Sequence, residues 1–150
     1  MSPELNFPEG ISALVRCVEQ EDQLKIWDAC RKKWLVFTPE EWVRQHCIHY
    51  LNALGYPLSL MQTEGGLKTV KRTKRSDLLI YKNKIPYILV ECKAPTVRIS
   101  QQTFNQAFNY NTEIKASFIY LTNGVQHFYW DVKNNAQLSG LPSADDLSYE

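Results

Sequence analysis

The fold is decided by residues 77–95, which read DLLIYKNKIPYILVECKAP. Two apolar runs flank a polar segment at 82–84, a pattern that predicts two strands joined as a hairpin. If this hairpin is centred on Lys84, Asp77 lies directly opposite Glu91, and side chains paired in this way have Cβ atoms about 5 Å apart. The sequence therefore predicts two facing carboxylates at one end of a largely apolar hairpin.

The second strand of this hairpin carries a carboxylate and an amine on one face. Because successive side chains of a strand alternate between faces, Glu91 and Lys93 share a face and Cys92 lies on the opposite, core-facing side. Facing carboxylates raise each other's pKa unless a cation lies between them. Mg²⁺, with Mn²⁺ as a substitute, is the cation expected at Asp77 and Glu91, because it prefers oxygen ligands and completes its shell with water and substrate phosphate. Lys93 is then placed to orient or deprotonate the attacking water, or to stabilise charge on the phosphate.

Basic residues crowd the chain just before Asp77. They are Lys71, Arg72, Lys74 and Arg75. A polyanion attracted to this run arrives beside the predicted metal site. We therefore expect the run to contact such a polyanion, with a solvated loop as the alternative interpretation.

The first helix has a clear start and a clear end. Thr38 is an N-cap residue, Pro39 suits the first helical position, and Glu41 closes a capping box. Gly55 ends the helix after about Leu54. Capping is thus one interpretation of Glu41, and a role in chemistry is the other.

Elsewhere the sequence predicts an N-terminal hairpin, a second helix, further strands and a tail. The predicted ranges are 13–17 and 24–29 for the N-terminal hairpin, 77–81 and 86–94 for the central hairpin, 100–115 for the helix, 117–122 and 125–130 for strands flanking Asn123-Gly124, and 134–150 for a loosely held tail. This order implies one domain over residues 1–133, built as a mixed sheet with helices packed on it. The sequence leaves α/β and α+β as alternative labels for this arrangement.

Composition favours a cytoplasmic protein with free thiols. The four cysteines contain no CxxC pair, and no apolar run approaches the roughly 18 residues of a membrane span. His46, His49 and His127 accompany neither an HExxH motif nor a cysteine pair, so zinc is not expected. The tryptophans are expected to pack in the core and at its edges.

Several motifs together resemble a known nuclease family. Ser76-Asp77 and the strand ILVECKAP at 88–95 look like the aspartate and the E-x-K strand of the PD-(D/E)xK superfamily. The motifs RKKW at 31–34 and TPEEWVRQH at 38–46 are more specific, and resemble the N-terminal domain of type I restriction enzyme R subunits. The similarity spans about residues 27–130. It implies a restriction-endonuclease-like fold and Mg²⁺-dependent hydrolysis of DNA, with Asp77 and Glu91 on the metal and Lys93 assisting the water.

The resemblance also implies supporting residues on the two helices. Such nucleases often have a glutamate on the first helix, which Glu41 matches best, with Glu40 as the rival. Gln106 and Tyr110 resemble a QxxxY element that positions DNA or the active site in some of these enzymes. A solvated helix face is the alternative interpretation of this pair.

The implied partners are DNA and the helicase, methyltransferase or specificity subunits of a restriction system, with a homodimer left open. R subunits carry a helicase motor, and this sequence contains no GxxxxGK[ST] motif. We therefore do not expect ATP-driven translocation from this chain alone. Two alternatives remain at the sequence level: a catalytically silent nuclease-like module that binds nucleic acid or a partner subunit, and a plain α/β scaffold.

Overall fold

The elements of the fold come from a computed structural model that describes residues 4–63 and 78–144. The strands are β1 (Cys17–Gln20), β2 (Gln23–Asp28), β3 (Lys33–Val36), β4 (Met61–Thr63), β5 (Leu78–Lys82), β6 (Ile85–Cys92), β7 (Phe118–Thr122), β8 (His127–Asp131) and β9 (Ala136–Leu138), and the helices are α1 (Pro39–Ala53) and α2 (Gln101–Ile114). Two short 3-10 turns, Ser12–Leu14 and Leu58–Leu60, precede β1 and β4.

The central feature is a six-stranded mixed sheet in the order β4-β5-β6-β7-β8-β9. β6 and β7 run parallel because α2 connects them as a crossover, and the other neighbours are antiparallel. Residues such as Val43 and Leu51 of α1 pack in one core with Ile88 and Val90. Residues of α2 form a second core with Leu89 on the other face of β6. The predicted mixed central sheet flanked by helices is confirmed, and the fold is α/β.

The predicted central hairpin is present, with a two-residue turn at Asn83 and Lys84, both at positive φ. The register shifts between Ile80 and Tyr81. On the side of this shift away from the turn, the pairing is centred on Lys84, and Leu78 lies opposite Val90. This is the predicted offset. Asp77 lies outside the described residues, and its pairing with Glu91 stays a prediction.

Helix α1 begins and ends where the sequence predicts. The Thr38 Oγ1 accepts a hydrogen bond from the Glu41 N–H at 3.0 Å, and Pro39 occupies the first turn. Leu54 caps the other end, and Gly55 follows at φ 106°. The Glu41 side chain, however, is engaged by Arg44. The predicted N-cap hydrogen bond to Thr38 is therefore confirmed, whereas the Glu41 carboxylate bonds to Arg44.

The N-terminal hairpin lies in a separate three-stranded antiparallel sheet, β1-β2-β3. Its turn is formed by Glu21 and Asp22, both at positive φ, which suits a two-residue hairpin. The prediction of a first strand at 13–17 was wrong in position, because a 3-10 turn occupies Ser12–Leu14 and the strand begins at Cys17. β3 was not predicted at all.

The C-terminal strands also differ from the sequence-based ranges. β8 begins at His127 rather than at 125, because the Asn123 Oδ1 accepts hydrogen bonds from the N–H groups of Val125 and Gln126 and closes a four-residue loop. Within the predicted tail, β9 pairs with β8, and Leu141 is buried. No helix in the described part of the chain combines the length and apolar character needed to cross a membrane.

Candidate functional site

A buried carboxylate and a lysine lie together at the end of the central strand. Glu91 is 3% exposed on β6, where it is in register with Leu121 of β7. The Lys93 Nζ lies 3.5 Å from the Glu91 Oε2, and the lysine side chain is 12% exposed. The predicted sharing of one face by Glu91 and Lys93 is therefore confirmed. Their charges form an ion pair largely removed from water.

The backbone around Lys93 fixes this pair against the neighbouring strand. The Lys93 N–H donates to the Thr122 carbonyl at 2.8 Å, which extends the β6–β7 ladder past the end of β6. The Asn123 Nδ2 donates to the Val97 carbonyl at 2.9 Å and ties together the loops that follow the two strands. Between these loops, at 95–98 and 123–126, lies an open cavity of about 320 Å³. Carboxyl ends of parallel strands are where such sheets bind ligands.

The other face of β6 is part of the core. The Cys92 side chain is fully buried, and its Sγ lies 3.8 Å from the Cys47 Sγ on α1. The hydrogen bond to Cys47 and burial both raise the pKa of the Cys92 thiol. Cys92 therefore lies on the core-facing side, as predicted, in a setting that disfavours the reactive thiolate.

Glu41 is held by an arginine. Its carboxylate accepts from the Arg44 Nε at 2.9 Å and from the Arg44 Nη2 at 2.7 Å. The same Arg44 donates to the Asp28 Oδ2 at 3.2 Å, and Arg31 donates to that oxygen at 2.7 Å. Burial raises the pKa of Asp28, but the positive charge of Arg44 and hydrogen bonds from Arg31 and Cys30 outweigh it and bring the pKa to about 2. Glu41 is thus part of a charge network on α1, and its metal role stays a prediction.

Gln106 and Tyr110 differ sharply in environment. Gln106 is exposed on α2, whereas Tyr110 is 7% exposed and packs in the core with Leu79 and Leu89. Leu89 and Glu91 are two positions apart on β6 and therefore share one face of the strand. Tyr110 thus packs on the sheet face that carries Glu91. A solvated helix face therefore does not describe Tyr110. A role in positioning DNA stays a prediction for both residues.

Part of the predicted site lies outside the described residues: Asp77 and the basic residues Lys71, Arg72, Lys74 and Arg75. Within residues 4–63 and 78–144, no group of three histidine, cysteine, aspartate or glutamate side chains could hold a metal ion. Glu91 is therefore the described member of the predicted metal pair. Its carboxylate is an oxygen ligand of the kind that Mg²⁺ accepts.

Sequence reasoning missed the Asp28–Arg44–Glu41 network. Arg44 stands three and four residues before Cys47 and Ile48, in the stripe of α1 that faces the core, and it is fully buried. A cation in an apolar stripe is a detectable signal, because arginine is rarely buried without a partner. Its partner Asp28 comes from β2, and only the tertiary structure brings the two together.

Two of the histidines make hydrogen bonds within the fold. The His46 Nδ1 lies 2.8 Å from the Trp42 carbonyl and its Nε2 lies 2.8 Å from the Ser12 Oγ. The His127 Nδ1 lies 2.8 Å from the Tyr120 hydroxyl. Both rings therefore serve as hydrogen-bonding groups within the fold.

These features define a class: an α/β domain with a crossover helix and a buried glutamate–lysine pair at the carboxyl end of its central strand. Comparison with family models matches residues 39–143 to the type I restriction enzyme R protein N terminus. The chain belongs to this family. No curated protein and no solved structure gives a significant match.

Proposed function

We propose that this protein hydrolyses DNA phosphodiester bonds with Mg²⁺ as a PD-(D/E)xK nuclease, Asp77 and Glu91 holding the metal and Lys93 acting at the attacking water. The observation that carries the proposal is the ion pair of Glu91 and Lys93, with Nζ and Oε2 3.5 Å apart and both side chains largely buried. The family match supports the same role, since the R subunit belongs to a restriction system.

The cost of burying this pair favours a chemical role. Glu91 follows Leu89 on its face of β6 and lies in register with Leu121, and both of these neighbours belong to the apolar core on that face. Replacing a buried ion pair with apolar residues is often neutral or stabilising, by about 1–4 kcal/mol. A buried ion pair at this strand end is therefore weak evidence for a purely stabilising role.

The residues of the chain divide the work in a simple way. Glu91 offers a carboxylate to the metal, and its burial excludes water that would screen the charge. Lys93 orients the attacking water, takes up its proton or stabilises charge on the phosphate. Bound Mg²⁺ would supply charge neutralisation at the phosphate. Tyr110 supports the Glu91 face, and the Lys71–Arg75 run attracts the DNA backbone.

The test is DNA cleavage by matched variants. Purified protein should cut single- or double-stranded DNA in Mg²⁺ or Mn²⁺, and Asp77→Asn, Glu91→Gln and Lys93→Met should each lower the rate at least about 100-fold. Glu113→Gln removes an exposed carboxylate of α2 and should leave the rate unchanged. A Glu91→Gln variant that folds and cuts at the wild-type rate would contradict the proposal.

A silent nuclease-like module is the second candidate, and one observation favours it. Arg44 engages both oxygens of the Glu41 carboxylate, so the glutamate of the first helix is not free to join Glu91 at a metal. This alternative expects DNA binding that weakens with salt and no turnover in either metal. Calorimetry with Mn²⁺ separates the two: the nuclease proposal requires binding that is lost in Glu91→Gln.

The partners of this activity belong to the same proposal. DNA and the motor, methyltransferase or specificity subunits of a restriction system are the partners that the family match supports. Location in the cytoplasm and formation of a homodimer stay predictions from the sequence.

A further inference from the structure

The outer face of the three-stranded sheet carries a row of one cationic and two aromatic side chains that lie against one another. Trp27 of β2 pairs in register with Trp34 of β3, and their ring centroids lie 5.1 Å apart. On the other side, the Trp27 N–H donates to the Arg16 carbonyl at 2.9 Å, which continues the row by one residue. The Arg16 guanidinium lies 5.2 Å from the Trp27 ring centroid and 5.4 Å from that of Trp34.

This row is on the side of the sheet that α1 does not cover. Ile26 and Asp28 of β2 are fully buried, whereas Trp27 between them is only partly buried. Arg16 is exposed, and Val36 on the same face is 52% exposed. Solvent therefore reaches a planar guanidinium that lies close to two indole rings.

Lysine side chains lie beside the row. Lys25 lies on the same face in the next row, between Val18 and Val36, and the exposed Lys32 lies in the turn that enters β3. Within the strand pairs of β1–β3, the outer face has no carboxylate; its residues are Arg16, Val18, Gln20, Gln23, Lys25, Trp27, Trp34 and Val36. Asp28 points to the other face and is neutralised by Arg31 and Arg44.

We propose that this outer face binds single-stranded DNA, with bases stacked on the Arg16–Trp27–Trp34 row and phosphates on Lys25 and Lys32. Aromatic platforms beside cations are how proteins hold single strands without reading sequence, because every base has a π-face and every nucleotide a phosphate. In a duplex those π-faces are covered by neighbouring base pairs. The inference goes beyond the proposed hydrolysis and does not depend on it, because the sheet precedes the Glu91 site in the chain and binding needs no turnover.

The experiment measures binding in EDTA, so that cleavage cannot interfere. The probe is a fluorescein-labelled oligothymidylate of roughly 16 nucleotides, followed by anisotropy. Arg16→Ala and Trp34→Ala should each weaken the affinity about tenfold, within the range found for removal of one stacking partner. Arg16→Lys should recover only part of the affinity, because it keeps the charge without the planar group. Lys133→Ala removes an exposed cation elsewhere and should bind as the wild type does.

Three further measurements test the phosphate contacts, the preference for single strands and the independence from Glu91. Replacing Lys25 and Lys32 with alanine should reduce the salt slope by about 0.7 for each lysine that pairs with a phosphate. An unlabelled duplex should compete poorly, and Glu91→Gln should bind the oligothymidylate normally even if the nuclease proposal fails. Wild-type affinity in a folded Arg16→Ala variant, or equal competition by duplex, would overturn the proposal. Arg16 is exposed, so its variant decides the matter even if Trp34→Ala does not fold.

Discussion

Arg44 is the residue that joins the small sheet to the first helix. It is fully buried, and it donates both to Asp28 of β2 and to Glu41 of α1. Burial lowers the pKa of Arg44, but the two carboxylates outweigh burial and raise it. Its Nη1 is buried with no hydrogen-bond partner in the part of the chain that the structure describes. The network therefore balances charge while leaving one donor unpaired.

Removing this cation should be costly. Arg44→Met leaves Asp28 buried without its main positive partner, and breaking a buried pair in this way costs about 3–5 kcal/mol. We expect a decrease of that size in the free energy of unfolding from urea denaturation. Arg98→Met, at an exposed position, is the matched control. Because the two residues interact directly, adding Asp28→Asn to Arg44→Met should cost less than the sum of the single changes. An Arg44→Met variant as stable as the control would contradict this account.

At the scale of the element, the sequence predicts turns and helix caps. It does not predict which other elements each helix or strand packs against. The β5–β6 hairpin and the start of α1 were predicted because turn residues and an N-cap act within a few positions. The burial of Gln45 was not predictable. Its Oε1 accepts from the Ala29 N–H at 3.1 Å, a hydrogen bond made only because α1 packs against the small sheet as well as the large one.

The candidate site follows the same division. Strand alternation alone placed Glu91 and Lys93 on one face, and the structure confirms it. The hydrogen bond from Arg44 to Asp28 joins residues sixteen positions apart in sequence, and only the tertiary structure shows it. Likewise β3 and β9 are short strands whose positions depend on pairing with β2 and β8 rather than on their own composition.

Helix α1 should also make stability depend on pH. The pKa of His46 is lowered, first by burial and also by the charge of His49. A histidine with a lowered pKa stabilises the fold fully above its unfolded pKa of about 6.5, and that contribution disappears as the pH falls through its lower folded value. We expect the thermal midpoint to fall between about pH 7.5 and pH 5.5, and to fall less in His46→Gln. Equal midpoints for the wild-type protein at both pH values would contradict this expectation.

At the scale of the molecule, the match to the R protein family begins at Pro39 and therefore leaves the three-stranded sheet outside it. The matched part contains the complete six-stranded sheet, both helices and the Glu91–Lys93 pair. The small sheet is attached to this unit through α1, by the hydrogen bonds of Arg44 and Gln45. The proposed catalytic pair and the proposed single-strand surface thus lie in different parts of the molecule, which can be altered separately.

The C-terminal segment completes the large sheet, and its removal tests how far the domain extends. β9 covers the edge of β8, the Tyr56 hydroxyl donates to the Pro142 carbonyl at 2.7 Å, and the Ala144 N–H donates to the Leu54 carbonyl at 2.9 Å. A chain ending at residue 133 lacks these hydrogen bonds and the burial of Leu141, so it should be destabilised by at least about 2 kcal/mol. A chain ending at residue 144 keeps every one of them and is the control. Equal urea midpoints for the two truncated chains would mean that the domain ends before β9, whereas a lower midpoint for the shorter chain alone places β9 and residues 141–144 within the cooperative unit.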